Sequence, residues 1–280
     1  MRLATISTDA GTTAAILNDG AAARIEGYED VGALLRAGPP GEEAARKTAA
    51  SGPFDPLDPS RLRRPVLEPG AVVCVGLNYR PHVLEMGRPL PDHPTYFAKL
   101  PRALADPFEP IELPGRSERV DYEGEVVVVV GRGGRDVPEE EAWAAVAGLT
   151  LMNDVSMRDF QYRTLQWFAG KSWQRSTPVG PAVVTIDELA PLDERELRVE
   201  VNGDLRQHAS LGDLIFSVAA LVADLSRIIE LRPGDLIATG TPGGVGDGME
   251  PPCYLADGDV VTVALDGLGR LESSFVAARC

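Results

Sequence analysis

DYEGEVVVVV, residues Asp121–Val130, is the stretch around which the chain organises itself. Its second half is an unbroken run of valine, Val126–Val130. β-branched side chains favour extended backbone, and an apolar run without alternation reads as a strand buried on both faces. Its first half is acidic. On an extended chain Glu123 and Glu125 point to the same face, roughly 6.5–7 Å apart along the strand, with Gly124 contributing no side chain between them. Alone, Glu-x-Glu is the pattern of a solvated edge strand. Running straight into buried valines, the pair stands at the mouth of a core. There, like charges at about 4 Å and an effective dielectric near 20 repel by roughly 4 kcal/mol. A bound cation relieves that repulsion.

Working outward, Leu149–Asp154 (LTLMND) reads as a second apolar strand that ends in a carboxylate. Glu123, Glu125 and Asp154, drawn from two strand ends, suit a hard divalent ion that keeps water or substrate oxygens, Mg²⁺ or Mn²⁺ rather than Zn²⁺. Further on, GKSW (Gly170–Trp173) follows the aromatic pair Trp167–Phe168. Lys171, partly desolvated there, could serve as a cation for a carboxylate or enolate, or as a proton donor with a lowered pKa; otherwise it is a snorkelling surface lysine. Upstream, GLNYRPHVLE (Gly76–Glu85) places His82 and Glu85 three apart, one face of a helical turn, with Pro81 suited to its first turn. A carboxylate beside imidazole orients the ring and raises its basicity, as a water-activating base requires. As a surface pair the same two residues would contribute well under about 1 kcal/mol. His93 and His208 read as loop and hairpin residues.

TGTPGGVG (Thr239–Gly246) lacks the Gly-Lys-Ser/Thr ending of a phosphate loop and does not lead into an apolar helix, so no nucleotide site is expected there. Its backbone N–H groups and threonine hydroxyl remain available to an oxyanion.

The flanks define the fold class. Residues 1–65 read as a small separate unit: two short strands, MRLATIS and AAILNDG, helical pieces over Val31–Ala37 and Gly41–Ala50, then a linker with prolines at 53, 56, 59, 65 and 69. Residues 66–280 form the larger unit. Strands are expected at Ala71–Gly76, Val120–Val130, Leu149–Asp154, Ala182–Ile186 and Leu197–Val201. A hairpin turns at Asn202-Gly203, and DGDVVTVALDGLGRLESSFV forms a closing one. Helices are expected at Glu139–Ala147 and Asp213–Glu230, the latter with Leu214, Val218, Leu221, Leu225 and Ile228 at helical spacing. This order is β-rich α+β without regular βα alternation, which argues against a doubly wound parallel sheet.

Composition limits the function classes. The 280 residues are 44% apolar and carry a formal net charge of −15, the balance of a globular chain without the basic field that nucleic acid or an anionic membrane surface attracts. Three dispersed cysteines, Cys74, Cys253 and Cys280, form neither a disulfide framework nor a zinc site. The N-terminus lacks the apolar core of a signal peptide. A cytoplasmic protein handling a small molecule, with no nucleic-acid or membrane partner, is the expectation.

In order along the chain, GLNYRPHVLEMG, YFAK, DYEGE, MNDVSMRDFQ, QWFAGKSW, TPVGP, LRPGDLIATGTPGGVG and DGDVVTV resemble the fumarylacetoacetate hydrolase family. The match runs from about Val72 to Val263. Residues 1–65 resemble the variable N-terminal segment of its short prokaryotic-type members, among them fumarylpyruvate and acylpyruvate hydrolases and 2-hydroxyhepta-2,4-diene-1,7-dioate isomerases. The resemblance implies a mixed β-roll of curved sheets, a homodimer, and an Mg²⁺ or Mn²⁺ site on Glu123, Glu125 and Asp154. It implies a catalytic dyad of His82 and Glu85, on a segment that in the family often orders as a lid over ligand, and an active-site lysine, Lys171. Gln161 and Thr241 match positions that contact substrate oxygens, and Arg158 and Asp159 brace the site. Two departures bear on the distal pocket: Gln174 stands where many members have an acid, and KLPRALADPF brings Arg102 and Asp106. Arg102 could read a second carboxylate.

The activity implied first is hydrolysis of a carbon–carbon bond in a 1,3-dicarbonyl 2-oxo acid of acylpyruvate or fumarylpyruvate type, from aromatic catabolism, through a metal-stabilised enolate with His82 activating water. The alternatives in the same scaffold are an isomerase or decarboxylase of unsaturated 2-oxo diacids or oxaloacetate, and a 2-keto-3-deoxy sugar-acid dehydratase. Outside catalysis, the alternative is a metabolite-binding relative that keeps the metal without turnover.

Overall fold

The computed structural model describes residues 1–85 and 89–278; the side chains of His82 and Glu85 also lie outside the described set. The valine run forms the strand Gly124–Val130, buried along its whole length. It is bonded antiparallel to Val146–Asn153 on one side and to Leu236–Ala238 on the other. Strand alternation then divides the valines. Val126, Val128 and Val130 enter one core with Leu149, Val199 and Val263. Val127 and Val129 enter a second with Val72, Cys74 and Val183. A strand serving two cores has no solvent face, so the valine run Val126–Val130 carries no polar residue.

From this strand the sheet extends in both directions. One way it passes through Val146–Asn153, Thr177–Val184, Arg2–Thr8, Gly11–Asn18 and Ala21–Ile25; the other way through Leu236–Ala238, Val72–Gly76 and Thr95–Ala98. Leu236–Ala238 and Val72–Gly76 run parallel, so the sheet is mixed. A second sheet contains Asp204–Ser210, Glu196–Val201, Val260–Leu265, Gly269–Val276 and Ile111–Glu112. The two sheets meet at Gly124. A Cβ there would stand 2.2 Å from Val199 Cγ2, so only glycine fits between the two glutamates.

The architecture is β-rich α+β, a mixed β-roll with a small N-terminal unit, as expected. That unit has three antiparallel strands rather than two, with helices Val31–Arg36 and Pro39–Ser51 against them. Its first strand pairs with Thr177–Val184, so the sheet is continuous between the two units.

Three elements differ from the expected ones. The single strand Val120–Val130 is two: Val120–Asp121 pairs with Ser156–Met157, and the chain bends through Tyr122 and Glu123 before Gly124–Val130. The bend forms because the Asp121 carboxylate accepts the backbone N–H groups of Tyr122, Gly246 and Asp247. The helix Glu139–Ala147 is reduced to a 3₁₀ turn and one turn of α-helix, Ala142–Ala145, because Val146 already belongs to the central sheet. The helix expected from Asp213 begins at Val218, capped by Ser217. The N–H groups of Ile215 and Phe216 instead donate to the carbonyl and side-chain oxygens of Asn78. Among the described residues no helix is long and apolar enough to cross a membrane.

Candidate metal centre

Glu123, Glu125 and Asp154 converge where the bend meets the end of Val146–Asn153, each offering an oxygen within 4.8 Å of the others. All three are buried. Backbone bonds place them: the Asp154 N–H donates to the Glu123 carbonyl at 2.7 Å, and the Glu123 N–H donates to Asn153 Oδ1 at 3.0 Å. Gly240, in the left-handed region at φ 102°, donates its N–H to Glu125 Oε2 at 2.9 Å.

The charges around the three acids are uneven. Lys171 Nζ lies 2.6 Å from Glu123 Oε2 and 2.7 Å from Asp154 Oδ2. Lys99 Nζ lies 2.5 Å from Asp154 Oδ1. Arg158 Nη1 lies 2.6 Å from Glu123 Oε1. Among the described residues, no lysine or arginine reaches Glu125. Burial pushes the Asp154 carboxyl up, but Lys171 and Lys99 outweigh it and hold the group below its ordinary value. For Glu125, burial and then the neighbouring Asp154 and Glu123 push the carboxyl well above its ordinary value. A buried oxygen-donor cluster in which one carboxylate has no contacting ammonium or guanidinium among the described residues fits a hard divalent cation.

Burial would lower the Lys171 ammonium, but Asp154 and Glu123 outweigh it and hold it above the ordinary lysine value. In the metal-free centre Lys171 is therefore held as a cation. Arg158 is fixed by Asp121, with Nε 2.9 Å and Nη2 2.8 Å from Oδ2, and its Nη1 donates to Gln161 Oε1 at 2.9 Å. It braces the centre, as expected, and leaves the Gln161 amide nitrogen as the end able to donate.

The centre opens into a cleft of about 740 Å³ whose walls include Leu77, Phe97, Gln161, Leu165, Trp167 and Thr241. The Thr241 hydroxyl donates to the Gly124 carbonyl at 3.0 Å and accepts from Gln207 Nε2 at 2.8 Å, so it is tied into the cleft floor. Arg102 is exposed on the 3₁₀ turn Pro101–Ala103, outside the residues lining the cleft. Asp106 is also away from the cleft: its carboxylate accepts the Arg64 N–H at 3.0 Å and pairs with Arg63. Neither residue lines this cleft, whose walls include the exposed Tyr162, Thr164 and Leu165. Gln174 is exposed and outside that lining as well. His82 and Glu85 fall on the helix Arg80–Glu85, but their side chains lie outside the described residues.

Lys99, Asp121 and Gln207 were not anticipated as members of this centre. A lysine closing the otherwise apolar YFAK is the one available sequence signal for Lys99.

A family model, the fumarylacetoacetate (FAA) hydrolase C-terminal region, matches residues 71–276. The chain belongs to the fumarylacetoacetate hydrolase family. It is 39% identical over 217 residues, 77% of this chain and 68% of the other, to the mitochondrial oxaloacetate tautomerase fahd2 of Xenopus laevis. Fumarylacetoacetate hydrolase from the psychrophile Exiguobacterium antarcticum superposes with a TM-score of 0.87 at 34% identity, covering 99% of this chain and all of that one. Maleylpyruvate hydrolase from Sphingobium sp. SYK-6, solved with manganese(II) and pyruvate, gives 0.82 at 26% identity with full coverage of both chains. The protein is thus a metal-dependent enzyme of this superfamily, with its metal site on Glu123, Glu125 and Asp154.

Proposed function

We propose that this protein is an isomerase that interconverts the keto and enol forms of a small 2-oxo diacid of the oxaloacetate type. The observation that carries the reading is the lysine ammonium fixed between two buried carboxylates at the floor of an open cleft. The likeness to an oxaloacetate tautomerase over 77% of the chain supports the choice of substrate class. Keto–enol exchange moves one proton from carbon to oxygen and breaks no carbon–carbon bond, so it needs charge stabilisation and a base but no attacking water.

Glu123, Glu125 and Asp154 would hold Mg²⁺ or Mn²⁺, which when bound would supply Lewis acidity toward the 2-oxo group. Lys171, kept cationic, attracts substrate oxygens that gain negative charge. Gln161 presents its amide N–H to a substrate oxygen while Arg158 holds its other end. Leu77, Phe97 and Trp167 exclude water from that side of the cleft. The family resemblance assigns the proton-carrying base to His82, with Glu85 as the other member of its dyad.

A second reading, hydrolysis of an acylpyruvate, draws on the structural likeness to maleylpyruvate hydrolase. One experiment separates them. Purified protein with Mg²⁺ is mixed with the enol form of oxaloacetate while enol absorbance, pyruvate and CO₂ are followed, and acylpyruvates are run beside it. Fast loss of enol without pyruvate or CO₂, abolished by EDTA and by His82→Ala, is the expected result. Pyruvate released from acylpyruvates faster than the enol decays would replace this reading with the hydrolytic one.

A further inference from the structure

We propose that Lys99 is a positioning residue that confines Asp154 to a single metal-facing oxygen and thereby sets which divalent ion the centre accepts. The inference rests on the metal site and is independent of the reaction proposed for it.

The two oxygens of Asp154 are divided between two ammonium groups. Oδ2 is held by Lys171, which lines the cleft, and Oδ1 by Lys99, which does not. The Lys99 side chain is fully buried, and its Nζ also donates to the Val155 carbonyl at 3.4 Å. Lys99 follows the strand Thr95–Ala98, with its own N–H bonded to the Val72 carbonyl at 3.0 Å. A cation entering from the cleft competes with Lys171 for Oδ2. Lys99 is fully buried and does not line the cleft, so that exchange leaves it on Oδ1.

The chemistry of the ions turns this asymmetry into selectivity. Mg²⁺, and Mn²⁺ in the same oxygen environment, is served by carboxylates that each give one oxygen in octahedral geometry. Ca²⁺ takes six to eight oxygens and readily accepts both from one carboxylate. With Oδ1 held by an ammonium, Asp154 cannot offer both. Lys99 thus disfavours the larger ion without touching it.

The test is the ratio of Mg²⁺ to Ca²⁺ affinity, measured by calorimetry on metal-stripped full-length protein and on folded variants. Lys99→Met fills the same space without a donor and is expected to shift the ratio toward Ca²⁺ by about tenfold. Lys99→Gln, which keeps a donor for Oδ1, is expected to hold the ratio near that of the parent even where both affinities change together. A merely structural lysine would lower the melting temperature in both variants and leave both ratios alone. If Lys99→Met does not fold, Lys99→Ala carries the same measurement. An unchanged ratio in the donor-free variant, or an equal shift in Lys99→Gln, overturns the proposal. Failure of the parent to bind either ion would instead overturn the metal site beneath it.

Discussion

Arg158 places two nitrogens on one oxygen of Asp121, Nε at 2.9 Å and Nη2 at 2.8 Å from Oδ2, with both side chains buried. The same carboxylate holds the N–H groups of Gly246 and Asp247, so one acid fixes both the brace of the metal centre and the loop on the far side of the cleft. Removing one member of a buried pair leaves the other charged and unpaired, which costs about 3–5 kcal/mol. Asp121→Ala is therefore expected to lower unfolding free energy by that order in urea titrations. It should also weaken Mg²⁺ binding, because Glu123 is then the one carboxylate that Arg158 still pairs with among the described residues.

Glu125 should behave in the opposite way. It is the one ligand without a cationic partner among the described residues, and its carboxyl is pushed well up by burial and then by Asp154 and Glu123. Glu125→Gln is expected to raise the melting temperature of the metal-free protein at neutral pH and to abolish the further rise that Mg²⁺ gives the parent. A thermal melt with and without the ion checks both.

The same group sets a pH dependence. A carboxyl whose folded value is raised keeps more protons folded than unfolded, so its contribution to stability is full below the ordinary glutamate range and is lost as pH rises through the folded value. Asp154, held low, acts only on the acid side of the ordinary carboxylate range. Metal-free protein should thus lose melting temperature as pH rises from the glutamate range upward. The increment from added Mg²⁺ should grow over the same interval, because the ion stabilises the ionised carboxylate.

Lys171 and a divalent cation compete for Glu123 and Asp154. Lys171→Met is expected to tighten Mg²⁺ binding by about tenfold, roughly 1.4 kcal/mol, while turnover is lost. Calorimetry and a rate assay on the same preparation would show the two effects moving in opposite directions.

Gly124→Ala tests the contact between the sheets. The added methyl would meet Val199 at 2.2 Å and Val263 at 3.2 Å, inside a packed core. Overpacking of this kind costs about 1–3 kcal/mol, and here it should also displace the glutamates on either side. A lower denaturation midpoint together with weaker Mg²⁺ binding is the expected result.

Much of this arrangement was legible in the sequence. The valine run announces a doubly buried strand, and the family motifs around it mark Glu123, Glu125, Asp154 and Lys171, which the fold brings together. What the sequence could not show is held by long-range pairing. Lys99 meets Asp154 across 55 residues, and Gln207 meets Gly124 across 83. Neither partner lies within any local period, so only the strand order of the sheets brings them together. The break at Tyr122 follows from hydrogen bonds that Asp121 accepts from residues more than a hundred positions away.

The pairing of Arg2–Thr8 with Thr177–Val184 gives the N-terminal unit a second duty. Thr177–Val184 belongs to the same sheet as the metal-bearing strand and is almost wholly buried. Stripped of its neighbour, the end around Val183 and Val184 would present unpaired backbone groups beside apolar side chains, the template on which other chains stack. Residues 2 and 3 close that template with their own backbone. Arg2 and Leu3 thus shield the edge that Val183 and Val184 would otherwise offer to another strand.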